Sequence, residues 1–316
     1  MKNKAIKVEW LTLSLILATH CLIAALLFTA LPLVSFFSQI FPKSLALMLA
    51  YGLVLAGLIL LLAFYGSIFH EVLHGHPTNR SKINTALVFP AWGLFFPYFR
   101  YRSSHLRHHN DENLTDPYDD PESWYLSARD YRHCPRWFLF ILQINNAMLG
   151  RIFIGPFLSI YGLLRQEWPY VFHKEPKVAK AWLFHALGLL LVIAVLVRAQ
   201  FPLWLYVFGA AYPALGLTLI RSFLEHRAHP DQDQRTAIVE SSWFFSLLFF
   251  NNNLHVVHHE GPQIPWYDLP RAYQQKKDYY LQKNGGYFFA SYAQIFKRFA
   301  FKPKEPVQHP YFRRED

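Results

Sequence analysis

Charge is scarce in this chain. Only 16% of its 316 residues are charged, against roughly 25% in an ordinary soluble domain. Cysteine is scarcer still, with Cys21 and Cys134 the only two and no CxxC among them. That excludes an iron–sulfur cluster or a rubredoxin-like iron site built into the chain. There is no internal repeat and no low-complexity tract. No basic domain stands apart either, so the net charge of +10 is a poor argument for nucleic-acid binding.

Apolar surface is what the chain has in excess: 53% of its residues are hydrophobic and 18% aromatic. Residues 10–37 and 45–69 carry no charged side chain. Residues 181–197 lie between Lys180 and Arg198, and 201–220 run up to Arg221. Each stretch is near the ~20 residues that cross a ~30 Å hydrocarbon core. The expected fold is all-α and membrane-integral, with about four transmembrane helices (10–37, 45–69, 181–197, 201–220) in a single domain spanning 1–316. The first run is too long for a cleaved signal peptide and lacks a small-residue cleavage site.

Basic residues set the expected orientation. Lys2, Lys4 and Lys7 precede the first helix, and Lys297, Arg298, Lys302, Lys304, Arg313 and Arg314 lie in the tail. Arg80, Lys82, Arg100, Arg102 and Arg107 follow the second helix, whereas each short connection holds one basic residue. The positive-inside rule then puts both termini and the segments 70–180 and 221–316 on the cytoplasmic side, and the expected location is a bacterial inner membrane.

Nine of the sixteen histidines fall into three tight groups: His70, His74 and His76; His105, His108 and His109; His255, His258 and His259. A fourth element, Glu225-His226 with His229, closes the last apolar run. Spacings of i, i+3 and i+4 put side chains on one helix face. Imidazole suits zinc, copper, iron and nickel, and eight or more rings are too many for one ion, so the count argues for two. All the groups fall on the same expected side of the membrane and are able to meet. His76, His229 and Glu225 stand beside stronger candidates, as further ligands or as groups that bond to them.

Asp116, Asp119, Asp120 and Glu122 follow the second group. Carboxylates that accept a ligand histidine's other N–H fix its tautomer. That role is open for Asp116 and Asp119, while Asp120-Pro121-Glu122 reads as a helix cap. The isolated His20, His133, His173, His185 and His309 read as hydrogen-bonded structural residues. Residues 85–99 are apolar but too short to cross, and are expected to lie at the interface or re-enter; 137–164 read as an in-plane helix.

These motifs carry a resemblance. The chain resembles the integral-membrane fatty-acid desaturase and hydroxylase superfamily, which also contains alkane hydroxylases and carotene ketolases. His70 and His74 match its first histidine box, His105, His108 and His109 the second, and His255, His258 and His259 the third. His226 falls where these proteins place one further histidine. The resemblance implies two non-haem irons held by these nine residues, O2 as co-substrate, and a lipid or fatty acyl substrate. It also implies electrons from a separate or fused carrier, and with no carrier motif in the sequence a separate one such as ferredoxin or rubredoxin with its reductase is expected. Fatty acyl desaturation is the favoured outcome. Hydroxylation, ketolation and alkene-forming decarboxylation, on a lipid or a carotenoid, stay open because ligand spacing does not distinguish them. Glu225-His226 is similar to alkane hydroxylases, and no cytochrome b5 motif (HPGG) is present. A membrane b-type cytochrome would need facing histidines inside the spans, and a metal transporter would need polar residues along them. Neither pattern is here.

Overall fold

Helix α1 (Trp10–Phe37) and helix α2 (Lys43–Leu73) form an apolar hairpin in a computed structural model that describes residues 6–110, 113–172 and 175–312. His173, Lys2, Lys4, Arg313 and Arg314 lie outside the described residues. With helix α3 (Tyr98–Asn110), helix α4 (Pro176–Arg198), helix α5 (Leu203–Glu225) and helix α6 (His255–Glu260), the chain is mostly helical. Among the described residues α1, α2, α4 and α5 are the four helices long and apolar enough to cross a membrane. The second and fourth run past their expected ends. His70 therefore sits inside the last turn of α2 and His74 at its C-cap, where the apolar run alone had placed both beyond the helix. Residues Val207–Ala211 of α5 wind as a π turn, a local widening of the helix.

The chain divides into two compact units, residues 1–100 with 160–217, and residues 101–159 with 218–316. In the first, α1 and α2 meet over small side chains. Ala30, Ala46 and Ala50 are buried, and a Cβ on Gly57 would come within 2.8 Å of Leu26. Close approach of this kind is how membrane helices gain packing energy. Leu17, Phe28, Met48 and Leu53 point outward and stay exposed, as lipid-facing side chains would.

The short apolar segment after helix Ser81–Leu87 loses regular structure, with Leu94 at φ 65°. Irregular backbone between membrane helices needs its carbonyls bonded, because hydrocarbon offers no partner. Side chains from the spans supply the donors. The Tyr65 hydroxyl donates to Pro90 O at 2.6 Å, Tyr206 to Trp92 O at 2.9 Å and His185 Nε2 to Leu94 O at 2.8 Å. His20 Nε2 donates to Leu87 O at 2.8 Å while its Nδ1 accepts from the Trp92 indole, also at 2.8 Å. Gly188 makes room, since a Cβ there would lie 2.3 Å from Phe89 O. The structural parts expected of His20 and His185 are the ones they play. His20→Ala and Tyr206→Phe each leave a buried carbonyl unmet and should cost about 1–3 kcal/mol, read as a lower unfolding temperature in detergent with the histidine groups unchanged.

The stretch 137–164 is not one helix. Helix Arg136–Asn145 ends at Asn146, Met148–Phe153 follows, and Gly155–Phe172 restarts with Pro156 in its first turn. Trp137, Phe140, Phe153 and Phe157 remain exposed. A two-residue parallel ladder joins Ile238–Val239 to Phe288–Phe289. It anchors α6, because Val239 N–H donates to Asn253 O and Val256 N–H to Ala237 O. Val256 and Val257 pack into a core with Ile238, Leu269 and Tyr273. Burial of those two valines aims the histidines of the same short helix the other way.

Candidate metal centre

Four imidazoles converge within the second unit. His108 Nε2 lies 3.0 Å from His226 Nε2, His255 Nε2 lies 3.1 Å from His226 Nε2, and His259 Nε2 lies 3.1 Å from His255 Nε2. All four nitrogens lie within 4.8 Å of one another. Nitrogens bound at about 2.0–2.1 Å around one tetrahedral cation stand about 3.3 Å apart, so the set has metal-site dimensions. Beside it, His105 and His109 bring their Nε2 atoms to 3.0 Å, and His109 and His258 to 3.1 Å. In the first unit His70 and His74 pair on α2 with ring centroids 4.9 Å apart.

One face per motif was the sequence expectation, and helical geometry overturns it. At about 100° per residue, positions i+3 and i+4 diverge although both lie near i. In each HxxHH run the i and i+4 rings stay together, His105 with His109 and His255 with His259. The i+3 ring, His108 or His258, turns to the other group. Two such runs crossing over one another make two groups out of two short motifs.

The rings are held from behind, which fixes the tautomer that aims a lone pair at a metal. Asp120 Oδ1 accepts from His108 Nδ1 at 2.9 Å and Glu122 Oε1 from His105 Nδ1 at 2.7 Å. Asn252 Oδ1 stands 3.0 Å from His255 Nδ1, with Glu225 Oε1 behind at 3.6 Å and itself paired to Arg221. Thr236 Oγ1 lies 3.3 Å from His226 Nδ1. Asp120 is thus not a helix cap, for no helix starts there; its oxygens accept from Thr115 N–H, Glu122 N–H and His108. Asp116 does not reach a ring. It closes a turn by accepting from the amides of Tyr118 and Asp119, and Asp119 is exposed in that turn.

The other flanking candidates also lie elsewhere. His76 Nδ1 bonds to Glu9 Oε1 at 2.5 Å, with Glu71 Oε1 at 3.9 Å from its Nε2. Although these three side chains are grouped closely enough to suggest an ion, 2.5 Å is a direct hydrogen bond and shorter than two ligands of one cation keep. Together with the Val8–Thr78 bridge it ties the start of α1 to the segment after α2. His229 bonds locally to the Asp231 backbone.

Electrostatics favour neutral, metal-ready rings at His109, His226, His255 and His259 and a protonated one at His108. Burial pushes His226, His255 and His259 well below the usual imidazole value and His109 down to about 3, with repulsion between neighbouring rings adding to it. Burial would lower His108 too, but Glu122 and Asp120 outweigh it and lift the ring to about 9. His105 and His108 in turn hold Glu122 well below the usual carboxylate range, although burial opposes them. A ring whose folded pKa is depressed stays neutral while the unfolded chain takes up a proton near 6.5, so stability falls as pH falls. Below about pH 6.5 the four lowered rings dominate and the metal-free protein is expected to lose thermal stability as pH falls toward 5, whereas between pH 6.5 and about 9 the raised His108 works the other way and adds stability as pH falls. A melting series in chelator checks this, and a flat profile counts against buried neutral rings.

Buried neutral nitrogen donors backed by carboxylates and amides are a set that imidazole-binding metals, iron included, are able to use. No curated protein matches the chain. A family model described as fatty acid desaturase matches residues 44–291, a stretch that takes in every histidine of the two groups and the α2 pair. The chain belongs to the fatty acid desaturase family.

Proposed function

We propose that the chain is an O2-dependent membrane oxidoreductase acting on a fatty acyl chain, with desaturation as its reaction. Family membership supports lipid oxidation by a desaturase-like enzyme, and the four apolar helices fit a substrate that lives in the bilayer. The observation that carries the reading is the convergence of two histidine groups, with His105, His108, His226 and His255 each met at Nδ1 from behind. The proposed ligands of two irons are His70, His74, His105, His108, His109, His226, His255, His258 and His259. Bound there, the irons supply an oxidant able to take hydrogen from an unactivated C–H bond.

The chain's own residues do the rest. Asp120, Glu122 and Asn252 hold imidazole lone pairs in register, and burial of His105, His108, His255 and His258 keeps bulk water from the centre. Electrons come from a separate carrier of the ferredoxin or rubredoxin kind with its reductase in this reading. Both termini face the cytoplasm in this reading, where such carriers are found.

Mass spectrometry of lipids and small products from cells with and without the chain tests the reaction. A fatty acyl product lighter by two hydrogens is expected. A gain of one oxygen would make the protein a hydroxylase, and loss of the carboxyl carbon with a terminal alkene would make it a decarboxylase. One equivalent of zinc, or a haem Soret band, in the purified protein would overturn the di-iron assignment itself.

A further inference from the structure

The family match ends at residue 291, yet the chain beyond it does not trail away. Leu149 N–H donates to Ala300 O and Lys304 N–H to Asn146 O, while Asn146 Nδ2 donates to Glu305 O. Further on, Leu126 N–H donates to Val307 O, and His309 N–H to Leu126 O. Residues 300–312 are laid as a strap along the second unit.

From this strap two side chains reach back toward the same histidine group. Lys304 Nζ donates to the backbone carbonyl of His226 at 2.6 Å, with only 14% of its side chain exposed. That carbonyl stands at the end of α5, where the last acceptors of a helix lack intrahelical donors, and a lysine is a suitable cap for them. Glu305 balances the charge at 3.2 Å and accepts from Ala228 N–H, two residues past His226, and from the Tyr125 hydroxyl. The position of the ligand ring is thereby fixed from both sides.

The second line runs through His309. Its Nδ1 accepts from the amides of Tyr311 and Phe312, which leaves the proton on Nε2, 3.1 Å from Thr115 Oγ1. Thr115 N–H donates to Asp120 Oδ2 at 2.8 Å, and Asp120 Oδ1 carries His108 Nδ1. Thr115 adopts φ 73°, a left-handed conformation that costs a β-branched residue energy and persists only where its surroundings impose it. His309, which the sequence left as an isolated structural residue, is one of those surroundings.

We propose that the carboxyl-terminal strap is a positioning device for one of the two metal sites. Lys304 sets His226, and His309 sets His108 through Thr115 and Asp120. Both rings belong to the group with His255 and His259. The line through Asp120 runs on to His105 only by way of the Glu122 amide and side chain, one residue further, so the effect is expected to fall mainly on the group of His108 and His226. This inference rests on the metal-centre reading above.

The experiment loads wild-type and variant proteins with ⁵⁷Fe(II) in detergent. It follows iron per chain, the Mössbauer spectrum and the kinetics of release to a chelator. Wild type is expected to hold about two irons. Lys304→Met and His309→Ala are expected to release one iron ~10–100-fold faster, the range typical of outer partners of metal ligands, and to change one of two spectral components. Lys304→Arg and His309→Gln, which keep a donor, should restore most of it. Equal acceleration of both irons, or unfolding of the donor-keeping pair along with the others, would reduce the strap to general stability and overturn the proposal. Unchanged release in a protein that holds two irons would overturn it as well. A wild type that binds no iron would instead sink the metal-centre reading.

Discussion

Alanine at His226, His255 or His259 is expected to abolish lipid oxidation and to remove about one metal ion per chain, with the protein still inserted and folded. The first half follows from geometry. These nitrogens stand 3.1 Å from a neighbouring ring, so each alanine takes one donor out of a set of four. The second half follows from electrostatics. The rings are buried and packed against one another in neutral form, so shortening one relieves crowding of lone pairs in the metal-free chain. The alanine variants should then melt no lower than wild type in chelator, which separates a lost ligand from a lost fold. His133→Ala is the control: its ring bonds to the Arg129 carbonyl one turn back, away from both groups, and activity should be near normal. Equal loss at His133 would mean that the groups are not special. The same outcome, lost activity without lost fold, is expected at His70, His74, His108, His109 and His258.

Much of this architecture was legible because membrane helices and metal ligands both leave strong marks in a sequence. Four charge-free runs are hard to bury any other way, and the first coincides with α1 at both ends. The ends of α2 were less visible, because its helix continues after hydrophobicity stops; Glu71 and His70 are polar but remain in helical backbone. The irregular segment around Trp92 could be recognised as too short to cross. That its carbonyls are met by His20, Tyr65, His185 and Tyr206 depends on residues up to 114 positions away, and no local pattern reports such distances.

The histidine motifs were read as single faces, and the fold divides each HxxHH run between two groups. The error lies in treating i+3 and i+4 as equivalent, when the angle between them is what divides the rings between two groups. The partners behind the rings were misassigned for a different reason. Asp116, Asp119 and Asp120 look alike in sequence, and Pro121 makes Asp120 resemble a cap. Only the fold shows that the chain turns at Asp116 and brings Asp120 against α3. Asn252 carried a usable signal, three residues before His255 on the approach to a helix. Lys304 and His309 carried none, since their roles come from where the strap is laid.

Asp120 and Asp116 therefore make the sharpest paired test of the site. Asp120→Asn is expected to lower iron affinity ~10–100-fold, the usual range for a partner that orients a metal-bound imidazole, with activity at limiting iron falling in step. Asparagine keeps the shape but removes the charge that, with Glu122, holds a proton on His108, and it offers one accepting oxygen where the Thr115 amide, the Glu122 amide and His108 now use two. With Nδ1–H less well held, the His108 ring is freer to rotate or change tautomer, and its Nε2 lone pair is no longer committed to the group. Asp116→Asn should do almost nothing, because an asparagine side chain accepts from the amides of residues 118 and 119 as readily as an aspartate does. Titration of the metal-free proteins with Fe(II), read by the change in tryptophan emission and by bound iron after gel filtration, measures both. Matching losses at the two positions would show that charge near the centre matters and orientation does not, and would remove Asp120 from its place behind His108.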